Sequence, residues 1–336
     1  MLRFLCVPIA LCLLACCGPA SPALPAEGGH ASPGPASSVP VRLWQDAGIF
    51  TLVGGLIEAA RRQVLVEVYE LGRADLILAL GARRASGVDV RVITDPTVAA
   101  SRRAAEWLGR LGVPERFYPV DDGRHQIDHV KLLIADGQAV VAGMNWGAHS
   151  DRNHDYALQT RAAAEVGRLV AIFEQDWGLA GGRPAPLAAV TGAIAQTAPG
   201  AEIRAMLEGA LAAAHVRVLA EVYTLTDPET IAGIAAARRR GLDVRVLLDP
   251  NQAYNRHGYL LLRAAGVEVR WYPIPRGALL HAKIGLFDGV LILGSANWTL
   301  SGLGANHELD IETGDAGAVA AFAARFAADW SRSSGG

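Results

Sequence analysis

The strongest constraint on this chain is that it is written twice. An offset of about 154 residues superimposes the two halves almost without gaps. The apolar stripe Ile49, Leu52, Val53, Leu56 and Ile57 returns as Ile203, Met206, Leu207, Ala210 and Leu211, in each case at helical spacing. Val64–Tyr69 returns as Val218–Tyr223, and Gly87–Ile93 returns as Gly241–Leu247. Both pairs are runs of strand length rich in β-branched residues. Asp95-Pro96 and Asp249-Pro250 end the second strand of each half, because proline cannot continue the ladder. Each half closes on an apolar helix, with Val166, Leu169, Phe173 and Trp177 in one and Val319, Phe322, Phe326 and Trp330 in the other. Strands alternating with helices predict an α/β fold, with a largely buried mixed sheet flanked by helices in each half.

The repeats are expected over residues 41–178 and 201–332, joined by a linker at 179–200 that contains Gly181-Gly182, Pro184, Pro186 and Pro199. With 51% apolar and 19% charged residues in 336, the chain can bury a sizeable core. All four cysteines, Cys6, Cys12, Cys16 and Cys17, precede the repeats, which excludes disulfides and cysteine metal sites from the folded body. Arg3 followed by the apolar run Phe4–Leu14 reads as a secretory signal, too short to span a bilayer comfortably. Leu13-Leu14-Ala15-Cys16 resembles a bacterial lipobox, which implies lipidation at Cys16; cleavage near Gly18-Pro19-Ala20 is the alternative, and either route means export. Residues 18–40, dense in Pro, Ala, Gly and Ser, read as a tether.

The repeated polar residues say more than the repeated apolar ones. His129-Val130-Lys131, Asp136 and Asn145-Trp146 in the first half correspond to His281-Ala282-Lys283, Asp288 and Asn297-Trp298 in the second. A His and a Lys two residues apart on a strand point to the same face. One such pair is common, whereas two in register within a duplication point to chemistry.

With these residues the sequence resembles the phospholipase D superfamily, whose signature is His-x-Lys-x4-Asp followed by Gly-Ser-x-Asn. The resemblance covers residues 45–330. The second motif, with Gly294-Ser295-Ala296-Asn297, is a full match; the first has Ala142-Gly143 where the family has Gly-Ser. The resemblance implies two halves related by a pseudo-twofold, with the motifs meeting in one site at their interface, so that a monomer suffices. No cofactor is expected, and no run has the linear spacing of a zinc or calcium site.

Cleaving a phosphodiester needs a nucleophile in line on one side of phosphorus and a proton donor for the leaving alkoxide on the other. The expected assignment has His129 attack and His281 donate, with the reverse left open. Lys131, Lys283, Asn145, Asn297 and Ser295 would hold the phosphate oxygens. Asp155 and Glu308, at matching distances downstream of their histidines, are expected to orient the rings. Asp136 and Asp288 are read as holding the turn after each motif strand, Trp146 and Trp298 as packing, and Glu67, Glu221, Tyr69 and Tyr223 as supports.

The site alone does not choose the phosphodiester. A net charge of −2 lacks the cationic surplus that holds a polyanion, and a lipid anchor would place the enzyme at a membrane surface. Phospholipase D-type action on phospholipid therefore ranks first, an exported nuclease second and a cardiolipin synthase-like transferase third. A fold retained for binding without chemistry is the alternative of a different class.

Overall fold

Alternation of two- and three-to-four-residue periods along each repeat produces one succession of elements twice, with one short helix added in the second. The structure, a computed structural model, describes residues 39–183, 192–197 and 201–335. The expected signal segment, Cys16 and the tether up to residue 38 lie outside the described residues.

The first repeat runs β1 (Val41–Gln45), α1 (Gly48–Ala59), β2 (Gln63–Val68), α2 (Ala74–Ala85), β3 (Asp89–Thr94), α3 (Ala99–Arg110), β4 (Glu115–Phe117), β5 (Lys131–Ala135), β6 (Gln138–Ala142), β7 (Tyr156–Thr160) and α4 (Ala163–Ala180). The second repeats it as β8 (Ile194–Thr197), α5 (Glu202–Ala213), β9 (Arg217–Val222), α6 (Pro228–Arg239), β10 (Asp243–Leu248), α7 (Asn255–Ala264), β11 (Glu268–Trp271), β12 (Lys283–Phe287), β13 (Val290–Gly294), the short α8 (Leu300–Gly304), β14 (Glu308–Thr313) and α9 (Ala316–Arg332). Each sheet has seven strands, ordered β1-β7-β6-β5-β2-β3-β4 and β8-β14-β13-β12-β9-β10-β11. The pairs β2–β3 and β9–β10 are parallel, while β2–β5 and β9–β12 are antiparallel.

The linker expectation needs correction. The stretch 179–200 contains β8, which pairs with β14 as β1 pairs with β7. The duplication therefore begins one strand earlier than its first helix. At four residues, Ile194-Ala195-Gln196-Thr197 carries too short an alternation to stand out among prolines and glycines.

The motif strands β5 and β12 lie mid-sheet and are buried along their whole length. Their alternate residues feed different cores. Leu132 and Ile134 face the layer shared with Ile284 and Leu286, whereas Leu133 and Ala135 face the helices outside the first sheet. Within the shared layer, α4 packs on its own sheet and reaches β8, and α9 packs on its own sheet and reaches β1. Each fully buried Leu, Ile or Phe of that layer contributes about 1.5–3 kcal/mol, which holds the repeats together and brings the two motifs into one interface. Among the described residues no helix is long and apolar enough to cross a membrane.

Candidate active site

His129 and His281 sit in extended lead-ins, two residues before β5 and β12. Each lead-in is laced to the opposite repeat. His129 N donates to His307 O and His281 N donates to His154 O, both at 2.8 Å. Asp95 and Asp249, at the strand ends that proline terminates, accept from the backbone N–H of Asp128 and Leu280 at 2.7 Å. The motif segments are therefore held by backbone bonds before any catalytic side chain is considered.

The orienting carboxylates are exchanged. His129 Nδ1 lies 2.9 Å from Glu308 Oε2 and 3.0 Å from Ser295 O, and His281 Nδ1 lies 2.8 Å from Asp155 Oδ2. Each acid thus serves the histidine of the other repeat, not that of its own. Facing two acceptors, His129 Nδ1 must carry the proton, which leaves Nε2 with a free lone pair.

Both lysines are only 2% exposed. An ammonium buried this deeply is costly without compensating partners, and this points to a site built for an anion. Lys131 Nζ donates to His129 O, and Lys283 Nζ donates to His281 O while lying 2.8 Å from His281 Nδ1. Burial lowers Lys131 to about 7 and Lys283 to about 8, against the pull of Glu308 and Asp155 respectively. Burial also pushes His129 down to about 4, against Glu308, and holds His281 well below an ordinary imidazole, with Lys283, Lys131 and His129 adding to the effect. Two lysines and two histidines from both repeats thus share one field, which a phosphate anion would relieve.

Asn145 and Asn297 are partly exposed, and their buried Oδ1 atoms have no hydrogen-bond partner. Ser295 differs from expectation. Its Oγ is fully buried, accepts from Leu309 N at 2.9 Å and bonds to Glu308, so it braces the carboxylate on His129 and is not presented to a phosphate. Asp136 accepts from the backbone N–H of Arg61, Arg62 and Gln63, and Asp288 from those of His215, Val216 and Arg217. Both adopt positive φ at the turn after the motif strand, away from the histidines. Trp146 and Trp298 pack in the outer cores.

Tyr69 and Tyr223 lie at the site, their rings 4.9 Å and 4.7 Å from those of His129 and His281, and 5.3 Å and 5.2 Å from the two ammonium groups. Glu67 and Glu221 do not touch the catalytic rings. They face His307 and His154, the residues immediately before Glu308 and Asp155. These two histidines, stacked on Tyr118 and Tyr272, are the functional neighbourhood that motif reading passed over. The available signal was their presence in both Asn-His-acid triplets, Asn153-His154-Asp155 and Asn306-His307-Glu308.

Residues 54–177 and 207–330 each match the family described as "Cardiolipin synthase, PLD-like domain". Mitochondrial cardiolipin hydrolase of Homo sapiens is 31% identical over 152 residues, covering 40% of this chain and 60% of the relative. That of Drosophila melanogaster is 31% identical over 131 residues, covering 32% of the chain and 51% of the relative. The chain thus spans about half to three-fifths of the curated relatives it matches. Among solved structures, phosphatidylserine synthase of Haemophilus influenzae Rd KW20 superimposes with a TM-score of 0.65 at 13% identity, covering 88% of each chain. Polyphosphate kinase of Porphyromonas gingivalis gives 0.62 at 16% identity, over 85% of this chain and 46% of that one. At such identities these two likenesses concern the fold.

Proposed function

Because the chain belongs to the cardiolipin synthase-type family of phospholipase D-like domains, carrying that domain twice, we propose that it is a phosphodiesterase of phospholipase D type acting on phospholipid. The observation that carries the choice of lipid is an apolar rim next to the site. Gln252 donates to the Tyr223 hydroxyl at 2.6 Å, and Tyr223 packs on His281. Gln252 also lines, with Tyr259, Leu260 and Trp271, a pocket of about 550 Å³. Leu260 on this rim is 59% exposed, and Tyr254, which follows the lining residue Ala253 in sequence, is 74% exposed. Exposed apolar side chains beside a phosphate site suit acyl chains better than a nucleic-acid backbone.

In this reading neutral His129 attacks phosphorus through Nε2, forming an N–P bond as the P–O bond to the leaving alcohol breaks. The developing positive charge on the ring is balanced by Glu308, which its contact with His129 keeps ionised in spite of burial. Asp155, raised to about 7 by burial, shares a proton with His281 near neutrality, so that pair supplies the proton to the departing oxygen. Water, or a second alcohol, deprotonated by His281, then attacks phosphorus and releases His129. Lys131, Lys283, Asn145 and Asn297 stabilise the non-bridging oxygens throughout. The lipid-anchored location follows the same logic, with Cys16 as the modified residue; a Cys16→Ser chain should then leave the membrane fraction.

Purified protein given vesicles of phosphatidylcholine, phosphatidylglycerol or cardiolipin should release phosphatidic acid, accompanied by phosphatidylglycerol in the case of cardiolipin. Separate reactions contain single- and double-stranded DNA. Cleavage of DNA with inert vesicles would establish the nuclease and refute the lipid reading.

A further inference from the structure

Behind each catalytic pair lies a buried polar cluster assembled from both repeats, and the two copies are not equivalent. In the cluster around His154, Nε2 lies 2.8 Å from Glu221 Oε2 and 3.3 Å from Asp329 Oδ2. Three donors complete it. The Tyr156 hydroxyl donates to Glu221 at 2.9 Å, Arg325 Nε donates to Asp329 at 2.6 Å, and Arg332 pairs with the same carboxylate.

The other copy keeps the histidine and both acids. His307 Nε2 lies 3.4 Å from Glu67 Oε1 and 3.2 Å from Asp176 Oδ2. Among the described residues the three donors have no counterpart at the equivalent positions. With Asp155 aligned on Glu308 and Asp176 on Asp329, the equivalents of Tyr156, Arg325 and Arg332 are Leu309, Ile172 and Leu179. Asp128 brings a third carboxylate, standing where the other copy has Leu280, each with its backbone N–H held by the Asp of the Asp-Pro pair. Glu67, Asp128 and Asp176 are all fully buried. Glu67 Oε2, Asp128 Oδ2 and Asp176 Oδ1 receive no hydrogen bond. Buried carboxylate oxygens with nothing opposite them carry a penalty of several kcal/mol each unless a proton or a cation is supplied.

We propose that Glu67, Asp176 and His307 form a site for a divalent cation of the zinc class, which supplies the charge that Arg325 and Arg332 supply in the other copy. The donor set, one imidazole nitrogen and two carboxylate oxygens, suits that class. The three ligand atoms lie within 4.8 Å of one another. The separations of 3.2 Å and 3.4 Å approach the edge, about 3.3 Å, of a tetrahedron with bonds of about 2.0–2.1 Å. Binding requires the neutral imidazole, so affinity falls on acidification. The ion would tie β2 and α4 of the first repeat to His307 of the second, and thereby fix Glu308, the residue that orients His129. It is a structural ion that touches neither phosphate nor catalytic nitrogen, and the inference does not depend on which phosphodiester is cleaved.

The test refolds the full chain in metal-free buffer with and without zinc chloride, then measures bound zinc by elemental analysis and the melting temperature. The expected result is about one zinc per chain and a melting temperature higher by about 5 °C or more with zinc. Glu67→Gln should lose the zinc, while Glu221→Gln should retain it. If Glu67→Gln does not fold, the double variant Ile172→Arg/Leu309→Tyr, which transplants donors from the other copy, should fold without zinc and bind none. A wild-type chain with under one-tenth of an equivalent and the same melting temperature in zinc or chelator overturns the proposal in favour of shared protons. Zinc retained by Glu67→Gln overturns it equally, since the ion would then lie elsewhere.

Discussion

Asp155, in the first repeat, accepts from Nδ1 of His281, in the second, at 2.8 Å, and Glu308 returns the arrangement by holding His129 at 2.9 Å. Neither half can therefore assemble a complete His–carboxylate pair by itself. The pairs form only when the repeats dock, which couples catalytic competence to the central apolar layer.

The exchange makes a direct prediction. Glu308→Gln should lower kcat by about 10²–10⁴-fold with little change in KM, because the ring of His129 loses both its tautomer control and its counter-charge. Thermal melts of single and double variants check the partner assignment: Glu308→Gln should couple to His129→Gln and not to His281→Gln. Coupling to His281 instead would break the assignment.

His129→Ala and His281→Ala should each reduce turnover by at least about 10³-fold while leaving a folded protein. A trapped phospho-enzyme is expected on His129 and is checked by peptide mass spectrometry. Phosphate on His281 would reverse the roles.

A methyl group at Gly143 would collide with the carboxylate of Asp155. Gly143→Ala should therefore cost about 1–3 kcal/mol of stability in urea and, because that carboxylate must leave His281, a far larger share of activity. Activity near the wild-type level would show that Asp155 is dispensable.

Asp288 accepts three backbone N–H groups at 2.8–2.9 Å. Although burial opposes it, these bonds hold its carboxyl below the ordinary value. Asp288→Asn should cost about 1–3 kcal/mol at pH 7. The depressed carboxyl stabilises the fold fully above the unfolded value of about 3.9 and loses that contribution as pH falls through the folded value. The urea midpoints of wild type and variant should thus draw together progressively as pH falls below about 4. A gap that does not narrow as pH falls below about 4 would assign the effect to shape, not charge.

Without substrate, Lys131 loses its proton near pH 7 and Lys283 near pH 8. An anionic phosphate between them raises both, as it raises His281. The alkaline limb of kcat/KM, which reports the free enzyme, should therefore begin at lower pH than that of kcat. Coincident limbs in the two profiles would show that substrate does not retune the site.

Much of this was legible from the chain. The period-2 and period-3.6 stripes placed the repeats, and the in-register His-x-Lys pairs placed the catalytic centre. What escaped was whatever depended on contacts between repeats. The strand β8 was hidden by its shortness, and the partner exchange of Asp155 and Glu308 was hidden because sequence distance suggests the nearer histidine. Ser295 matched its motif, yet its hydroxyl turns inward to Glu308.

The sequence by itself determined that two equal α/β units exist and that each carries one histidine, one lysine and one carboxylate for a phosphoryl site, because local periodicity and residue chemistry repeat along the chain. Only the tertiary structure decided which carboxylate serves which ring, and that Leu309, Ile172 and Leu179 stand around His307 in the places of the donors that complete the cluster around His154. Those relationships arise from side chains distant in sequence meeting in a buried interface, where low dielectric makes each missing partner count and no linear spacing records it.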